Sequence, residues 1–284
     1  MSPKRRDHRN IIIGVLSALV IIEAFFLFVY KPKKVVAIKK KEERLAVIKQ
    51  VPPPAALPKK AILGRIAIIV DDCGYNLQPC TFSSLIKYPV TFSILPNLKH
   101  STDVAECAHQ NKKEVMLHLP MEPHHNLDKY PENYIIKTSM KKTKIEEIIN
   151  AALKSVPFAA GVNNHMGSKA TEDRKVMAIV FSALQKKELF FVDSLVTNQS
   201  VCQTLANEMN LPFTHRDIFL DNQNERSYIE NQFALLKEEV KKNGYAVAIG
   251  HARTLTLQII KEQTELLEKE GFKFVTVKVM IGKQ

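Results

Sequence analysis

Apolar and polar positions along this chain follow two periods, and the switching between them outlines a fold. Short runs rich in β-branched and aromatic residues recur at 65–70 (RIAIIV), 90–95 (VTFSIL), 114–117 (EVML), 158–162 (FAAGV), 189–192 (LFFV), 212–214 (PFT), 246–249 (AVAI) and 272–277 (FKFVTV). Such runs predict buried strands. Between most of them, helical spacing runs over about 76–88, 102–112, 143–155, 171–187, 200–210, 224–242 and 254–270. Thr143 followed by Glu146 predicts a capping box, and Gly244 and Gly271 stand where helices should stop. Strands alternating with helices across short loops predict parallel pairing with right-handed crossovers. Seven or eight such units in about 220 residues predict an α/β fold, a deformed (β/α) barrel of seven or eight strands, with an open doubly wound sheet as the other arrangement. One long loop, 119–142, contains Pro120, Pro123 and Pro131, which argue against regular structure.

The N-terminal region is a different kind of polymer. The apolar run 11–29, broken only by Glu23, is long enough to cross a bilayer as a helix. Lys4, Arg5, Arg6 and Arg9 precede it; Lys31, Lys33 and Lys34 follow, with no small-residue cleavage site. The expectation is a cytoplasmic tail and uncleaved transmembrane signal anchor over 1–30, a Lys/Pro-rich linker over 31–62, and a catalytic domain over 63–284. Counting basic residues alone would keep that domain in the cytoplasm, because the following flank is the richer. A short basic tail that is easily retained, and the indifference of long domains to flanking charge, argue for export. The expected location is therefore the inner membrane, single-pass, with the C-terminal domain in the periplasm or outside the cell.

Charge removes one class of partner. Of the net +12, residues 1–60 carry +10, from 14 Lys and Arg against 4 Asp and Glu, which leaves 27 basic against 25 acidic residues afterwards. The domain itself is almost neutral, so the basic pI is no argument for nucleic-acid binding. The basic linker reads as a tether beside anionic lipid head groups or as a solvated spacer. Four cysteines, Cys73, Cys80, Cys107 and Cys202, lack metal-finger spacing; Cys73 with Cys80, Cys80 with Cys107, or free buried thiols all remain open.

The chemistry lies in where Asp and His fall. Asp71, Asp72, His118, His165, Asp193, Asp221 and His251 come at or just after strand ends, which converge on one face of a barrel. Two adjacent carboxylates at a strand tip, Asp71 and Asp72, should diverge, so that one can bind a cation while the other takes a proton from a metal-bound water. His118 and His165 with an Asp of that pair match the three-ligand open site of a catalytic Zn²⁺. His251 is placed to protonate a leaving amine, and Asp193 to orient that imidazole or bind a sugar hydroxyl. Glu122, Asn164 and Asp221 are candidates for supporting contacts; His8, His100, His109, His124, His125 and His215 read as surface or packing residues.

IIVDDCGYN, TFSILP, HLPMEP, GVNNHMGSKAT, FFVDS, RDIFLDN and AIGH, in this order, resemble the divergent polysaccharide deacetylase family, a distant branch of the NodB-homology carbohydrate esterases, over about 63–280. The resemblance implies a NodB-like barrel, a divalent metal, and hydrolysis of acetyl groups on a glycan such as peptidoglycan. It also implies Asp71 as base, Asp72 as metal ligand, His118 as first His of an H-x-x-x-H motif, and His251 as general acid. The chain departs from the pattern at Glu122, which stands where the second His belongs, and in lacking the Arg and Pro motif of the next strand. Two other functions compete. One is a degenerate barrel that binds glycan or an envelope partner without turnover; the other is a metal-dependent phosphoesterase, for which only Arg216 and Arg253 are near enough to hold an anion.

Overall fold

Nine strands and eight helices carry the described part of the chain, residues 62–125 and 134–282 of a computed structural model. In chain order they are β1 (Gly64–Cys73), α1 (Gln78–Leu85), β2 (Thr91–Ile94), α2 (Ser101–Gln110), β3 (Glu114–Met121), α3 (Lys142–Ser155), β4 (Ala159–Met166), α4 (Arg174–Gln185) and β5 (Phe190–Asp193). There follow α5 (Cys202–Met209), β6 (Phe213–His215), β7 (Ile218–Phe219), α6 (Arg226–Asn243), β8 (Tyr245–His251), α7 (Thr254–Glu270), β9 (Phe272–Phe274) and α8 (Val277–Ile281). The apolar run 11–29 and the linker, apart from its last residue, lie outside the described residues. Among the described residues no helix is long and apolar enough to cross a membrane.

Every pairing is parallel, in the order β6-β5-β4-β3-β2-β1-β8-β7, with β9 joining β1 beside its N-terminal half. The outermost strands, β6 and β7, do not pair with each other, so the sheet is a curled half-barrel and not a closed one. The ninth strand, β7, escapes the sequence pattern because two residues are too few to display a period. The expected strand 272–277 breaks after Phe274, where Thr276 caps α8 by accepting from Val279 N. The expected capping box at Thr143 is absent: α3 starts at Lys142 behind Lys141, with no side-chain cap, and Glu146 pairs with Lys186. Gly244 and Gly271 do end α6 and α7, in the left-handed conformation at φ 81° and 114°. The proline-containing segment is not all loop, since β3 runs through Pro120 to Met121, and Ile136 bridges back to Met121.

The two faces of the sheet bury different sets of residues. Ile66, Ile68 and Val70 of β1, Phe92 of β2 and Phe191 of β5 pack under the helices α1–α7. Ala67 and Ile69, Met116, Phe190 and Val192, and Val247 and Ile249 form a smaller inner cluster with Val277 and Met280 of α8. Because strand side chains alternate between faces, the inner rows continue toward the strand C-termini as Asp71, Ser93, His118, Asn163 and His165, Ser194 and His251. A polar layer thus sits directly above an apolar one. Cys80 and Cys107 form a disulfide between α1 and α2, while Cys73 and Cys202 are buried thiols.

Candidate metal centre and active site

Asp71 and Asp72 do not diverge as adjacent residues of a regular strand would. The β1–β2 register shifts between Val70 and Cys73, and Asp72 adopts a left-handed backbone at φ 58°. That turn brings both carboxylates to one imidazole: His118 Nε2 lies 3.7 Å from Asp71 Oδ2 and 3.3 Å from Asp72 Oδ1. A left-handed non-glycine residue costs on the order of 1 kcal/mol and persists only where its surroundings impose it.

Asp72 Oδ1, His118 Nε2 and His165 Nδ1 converge into one cluster of candidate ligands. His165 Nδ1 stands 3.0 Å from Asp72 Oδ1 and 3.0 Å from His118 Nε2. Ligands held 2.0–2.2 Å from a tetrahedral ion are about 3.3–3.6 Å apart, so the three atoms are almost at coordination spacing. Asp72 Oδ1 is also the one buried side-chain polar atom among the described residues with no hydrogen-bond donor. An orphaned carboxylate oxygen between two imidazole nitrogens fits a cation. Burial works against charge on Asp72, but the two imidazoles outweigh it and hold its carboxyl far below the usual range. Burial pushes the Asp71 carboxyl up, against the opposing pull of His118 and Asn163. At His118 burial opposes charging and the two carboxylates overcome it; at His165 burial prevails and lowers the value.

His251 faces this cluster from the neighbouring strand, in register with Asp71, and its Nε2 is 3.8 Å from Asp72 Oδ2. Its Nδ1 lies 3.0 Å from Oδ1 of the fully buried Asp221, whose Oδ2 accepts from Thr256 Oγ1 at 2.7 Å. Burial opposes charge on His251, and Asp221 more than restores it, raising the imidazole above its ordinary value. Asp221, expected as a supporting residue, therefore makes the contact to His251 that was one of the two expectations for Asp193. Asp193 shares the helix-facing side of β5 with Phe191, and its carboxylate accepts from Ser200 Oγ at 2.5 Å and Leu195 N at 2.9 Å, not from His251. The cue to Asp221 is β7, whose pairing of Phe219 with Ile249 carries Asp221 alongside His251.

The other candidates divide cleanly. Glu122 does not enter the cluster: its carboxylate accepts from Lys169 Nζ at 2.8 Å and from Thr138 N and Oγ1 at 2.6 and 2.7 Å, pinning two loops together. Asn164 ties β4 to β5 by accepting from Ser194 N at 2.9 Å. Arg216 and Arg253 both donate to main-chain carbonyls, of Ser194 and Leu195 and of Asp221 respectively, and form no anion-binding cluster. His124 pairs with Glu172, His100 with Asp103 and His215 with Asp217, while His109 stacks on Phe158; His8 lies outside the described residues. Sequence reasoning missed Asn163 and Ser93, which extended strand alternation would have placed on the same inner face as His165 and below His118. Beside the cluster, a cleft of about 180 Å³ opens between Asp72, Tyr75, Asn76, His251 and Arg253.

Comparison with known proteins agrees with this architecture. The uncharacterized protein YibQ of Escherichia coli K12 is 33% identical over 210 residues, 73% of this chain and 64% of YibQ, so the chain spans somewhat under two thirds of that relative. The crystal structure of an uncharacterized protein from Agrobacterium tumefaciens shares the fold at a TM-score of 0.72 and 19% identity, over 81% of this chain and 92% of that one. The catalytic domain of a peptidoglycan N-acetylglucosamine deacetylase from Eubacterium rectale shares it more distantly, at a TM-score of 0.52 and 10% identity, over 80% and 93% of the two chains. Residues 68–281 match the sequence pattern of the family described as divergent polysaccharide deacetylase, and the chain belongs to that family.

Proposed function

We propose that this protein is a metal-dependent deacetylase that removes acetyl groups from an envelope polysaccharide such as peptidoglycan. The observation that carries the reading is the convergence of Asp72, His118 and His165 on one point, with Asp71 on one side and the Asp221-backed His251 on the other. The two-imidazole, one-carboxylate donor set suits Zn²⁺. A divalent ion held there would supply Lewis acidity to the acetyl carbonyl.

The chain's own residues account for the proton movements. Asp71 accepts a proton from the attacking water as the new C–O bond forms. His251, charged and steadied by Asp221, gives a proton from Nε2 to the departing nitrogen or oxygen as the C–N or C–O bond breaks. Water and the acetylated sugar thus become acetate and the free amine or hydroxyl. Asp72, opposite His251, remains a carboxylate and serves as a ligand. Glu122 in place of a second motif His speaks for a non-catalytic glycan-binding barrel, but His165 provides the third donor that Glu122 does not.

The proposed setting is the inner membrane, with the run 11–29 as anchor and the domain on the periplasmic or outer side; the Cys80–Cys107 disulfide supports an oxidising compartment. The decisive experiment measures bound metal and acetate release from acetylated glycans by the full-length protein and by Asp71→Asn. The variant should keep its metal and lose roughly 10²- to 10⁴-fold in rate, because an amide cannot take the water proton. A metal-loaded wild-type protein that binds such a glycan and releases no acetate would establish the binding-module reading instead.

A further inference from the structure

Asn163 occupies the middle of the site without touching solvent. Its side chain is fully buried, and each of its hydrogen-bonding positions is in use. Oδ1 accepts from Ser93 Oγ at 2.5 Å and from His118 Nδ1 at 2.8 Å. Nδ2 donates to the two oxygens of Asp71 at 2.9 and 3.1 Å, and to Ser194 Oγ at 3.3 Å. A side-chain amide has two lone pairs on oxygen and two N–H bonds, so nothing is left over.

The orientation of this amide has consequences on both sides. Reversed, it would set its carbonyl oxygen against the Asp71 carboxylate and its NH₂ against His118 Nδ1. That nitrogen would then have to accept, and the ring proton would move to Nε2, the atom 3.3 Å from Asp72 Oδ1 and 3.0 Å from His165 Nδ1. No lone pair would remain on His118 where the three candidate ligands meet. The orientation with Oδ1 toward His118 is the one that leaves His118 able to ligate and Asp71 held as an acceptor.

We infer that Asn163 is the positioning residue that couples the two halves of the site: through Oδ1 it fixes His118 as the Nδ1–H tautomer, and through Nδ2 it fixes the carboxylate of Asp71. The Asp71 half rests on the deacetylase reading; the His118 half requires only that a cation binds. Residues that support a metal-ligating His in this way are worth roughly 10- to 100-fold in affinity or activity.

The test compares Asn163→Ala and Asn163→Asp in the full-length protein. Zinc affinity is read by chelator competition, the His118 tautomer by ring ¹⁵N shifts of the metal-free protein, and kcat and KM by acetate release. Asn163→Ala should lower zinc affinity roughly 10- to 100-fold and populate the other tautomer. The alanine leaves several buried groups unpartnered, so the isosteric Asn163→Asp runs beside it. That carboxylate still accepts from His118 and Ser93 and should keep zinc affinity within about threefold, as expected for a supporting contact that is retained. It also sets an oxygen against Asp71, and kcat should fall by roughly 10² or more with KM little changed. Unchanged zinc affinity and tautomer in Asn163→Ala, or wild-type kcat in Asn163→Asp, overturns the inference. Because the zinc and ring measurements need no turnover, a protein that releases no acetate fails the deacetylase reading, while its zinc affinity and ring tautomer still decide whether Asn163 positions His118.

Discussion

Replacing Asp221 by Asn isolates the charge behind His251 from the geometry around it. In the native site Oδ1 accepts from His251 Nδ1 at 3.0 Å, both oxygens take the His251 main-chain N–H at 3.2 and 3.1 Å, and Oδ2 accepts from Thr256 Oγ1 at 2.7 Å. In the variant the amide oxygen belongs at the Oδ1 position, where both His251 donors still find an acceptor. The NH₂ then faces Thr256, whose hydroxyl rotates to accept it. Fold and ring tautomer survive, and only the charge is lost. A hydrogen bond to a charged group contributes about 1.5–3 kcal/mol against about 0.5–1.5 for a neutral one, so the imidazolium loses about 1–1.5 kcal/mol. Acetate release should slow by roughly 5- to 13-fold, far less than the roughly 10⁴ seen when such a change also imposes the wrong tautomer. The pH profile supplies the second signature. His251 must be protonated to act, so activity falls as pH rises through its pKa, which Asp221 raises against the effect of burial. Without that charge the fall should begin at lower pH. The assay is kcat/KM against pH on an N-acetylated oligosaccharide; an alkaline limb that stays in place, or a loss beyond roughly 10³ with intact fold, refutes the reasoning.

Three other outcomes are expected. His118→Ala and His165→Ala should each strip the bound ion, since two protein ligands hold a zinc ion poorly against water; full occupancy by elemental analysis in either variant removes that residue from the ligand set. Reducing the Cys80–Cys107 disulfide, which closes a 27-residue separation, should lower the unfolding free energy by about 3–4 kcal/mol in the chain-entropy picture; superimposable denaturant melts with and without reductant would contradict it. A reporter fused after Lys60 should be active outside the cytoplasm, because the short basic tail is the part more easily retained; activity confined to the cytoplasm would withdraw the envelope assignment.

The architecture is legible because each parallel strand needs a crossover helix, and that demand writes alternating periods into the chain. The same logic brings Asp71, His118 and His251 to one face, as the structure has them, since all three stand on inward-facing rows of clear strands. It fails at Asp193 because position along a strand was weighed without its face: Asp193 ends β5 but points under the helices with Phe191. Asn163 stays hidden because the apolar run stops at Val162, while the strand continues through polar residues to Met166. Asp221 is visible as a strand-end carboxylate, but its pairing with His251 is not, because β7 is held by its pairing with β8 and carries no pattern of its own. The convergence of Asp71 and Asp72 is a backbone effect of the shifted register and the left-handed Asp72, which side-chain chemistry does not announce.

The stacking of the polar layer on the inner apolar layer constrains how such a protein can change over generations. Gly161 shows how tight the joint is: a Cβ there would meet the Phe190 ring at 2.2 Å, directly beneath Asn163. A substitution at Met116, Val192 or Ile249 would displace the strands that carry His118, Ser194 and His251, so drift in this inner row registers as altered chemistry before it registers as unfolding. Helix-facing residues farther down the strands, such as Ile66 and Ile68, stand away from that layer and can exchange apolar side chains of similar volume at little cost. Selection on turnover should therefore hold the inner row of the sheet nearly fixed while leaving those helix-facing positions free to wander.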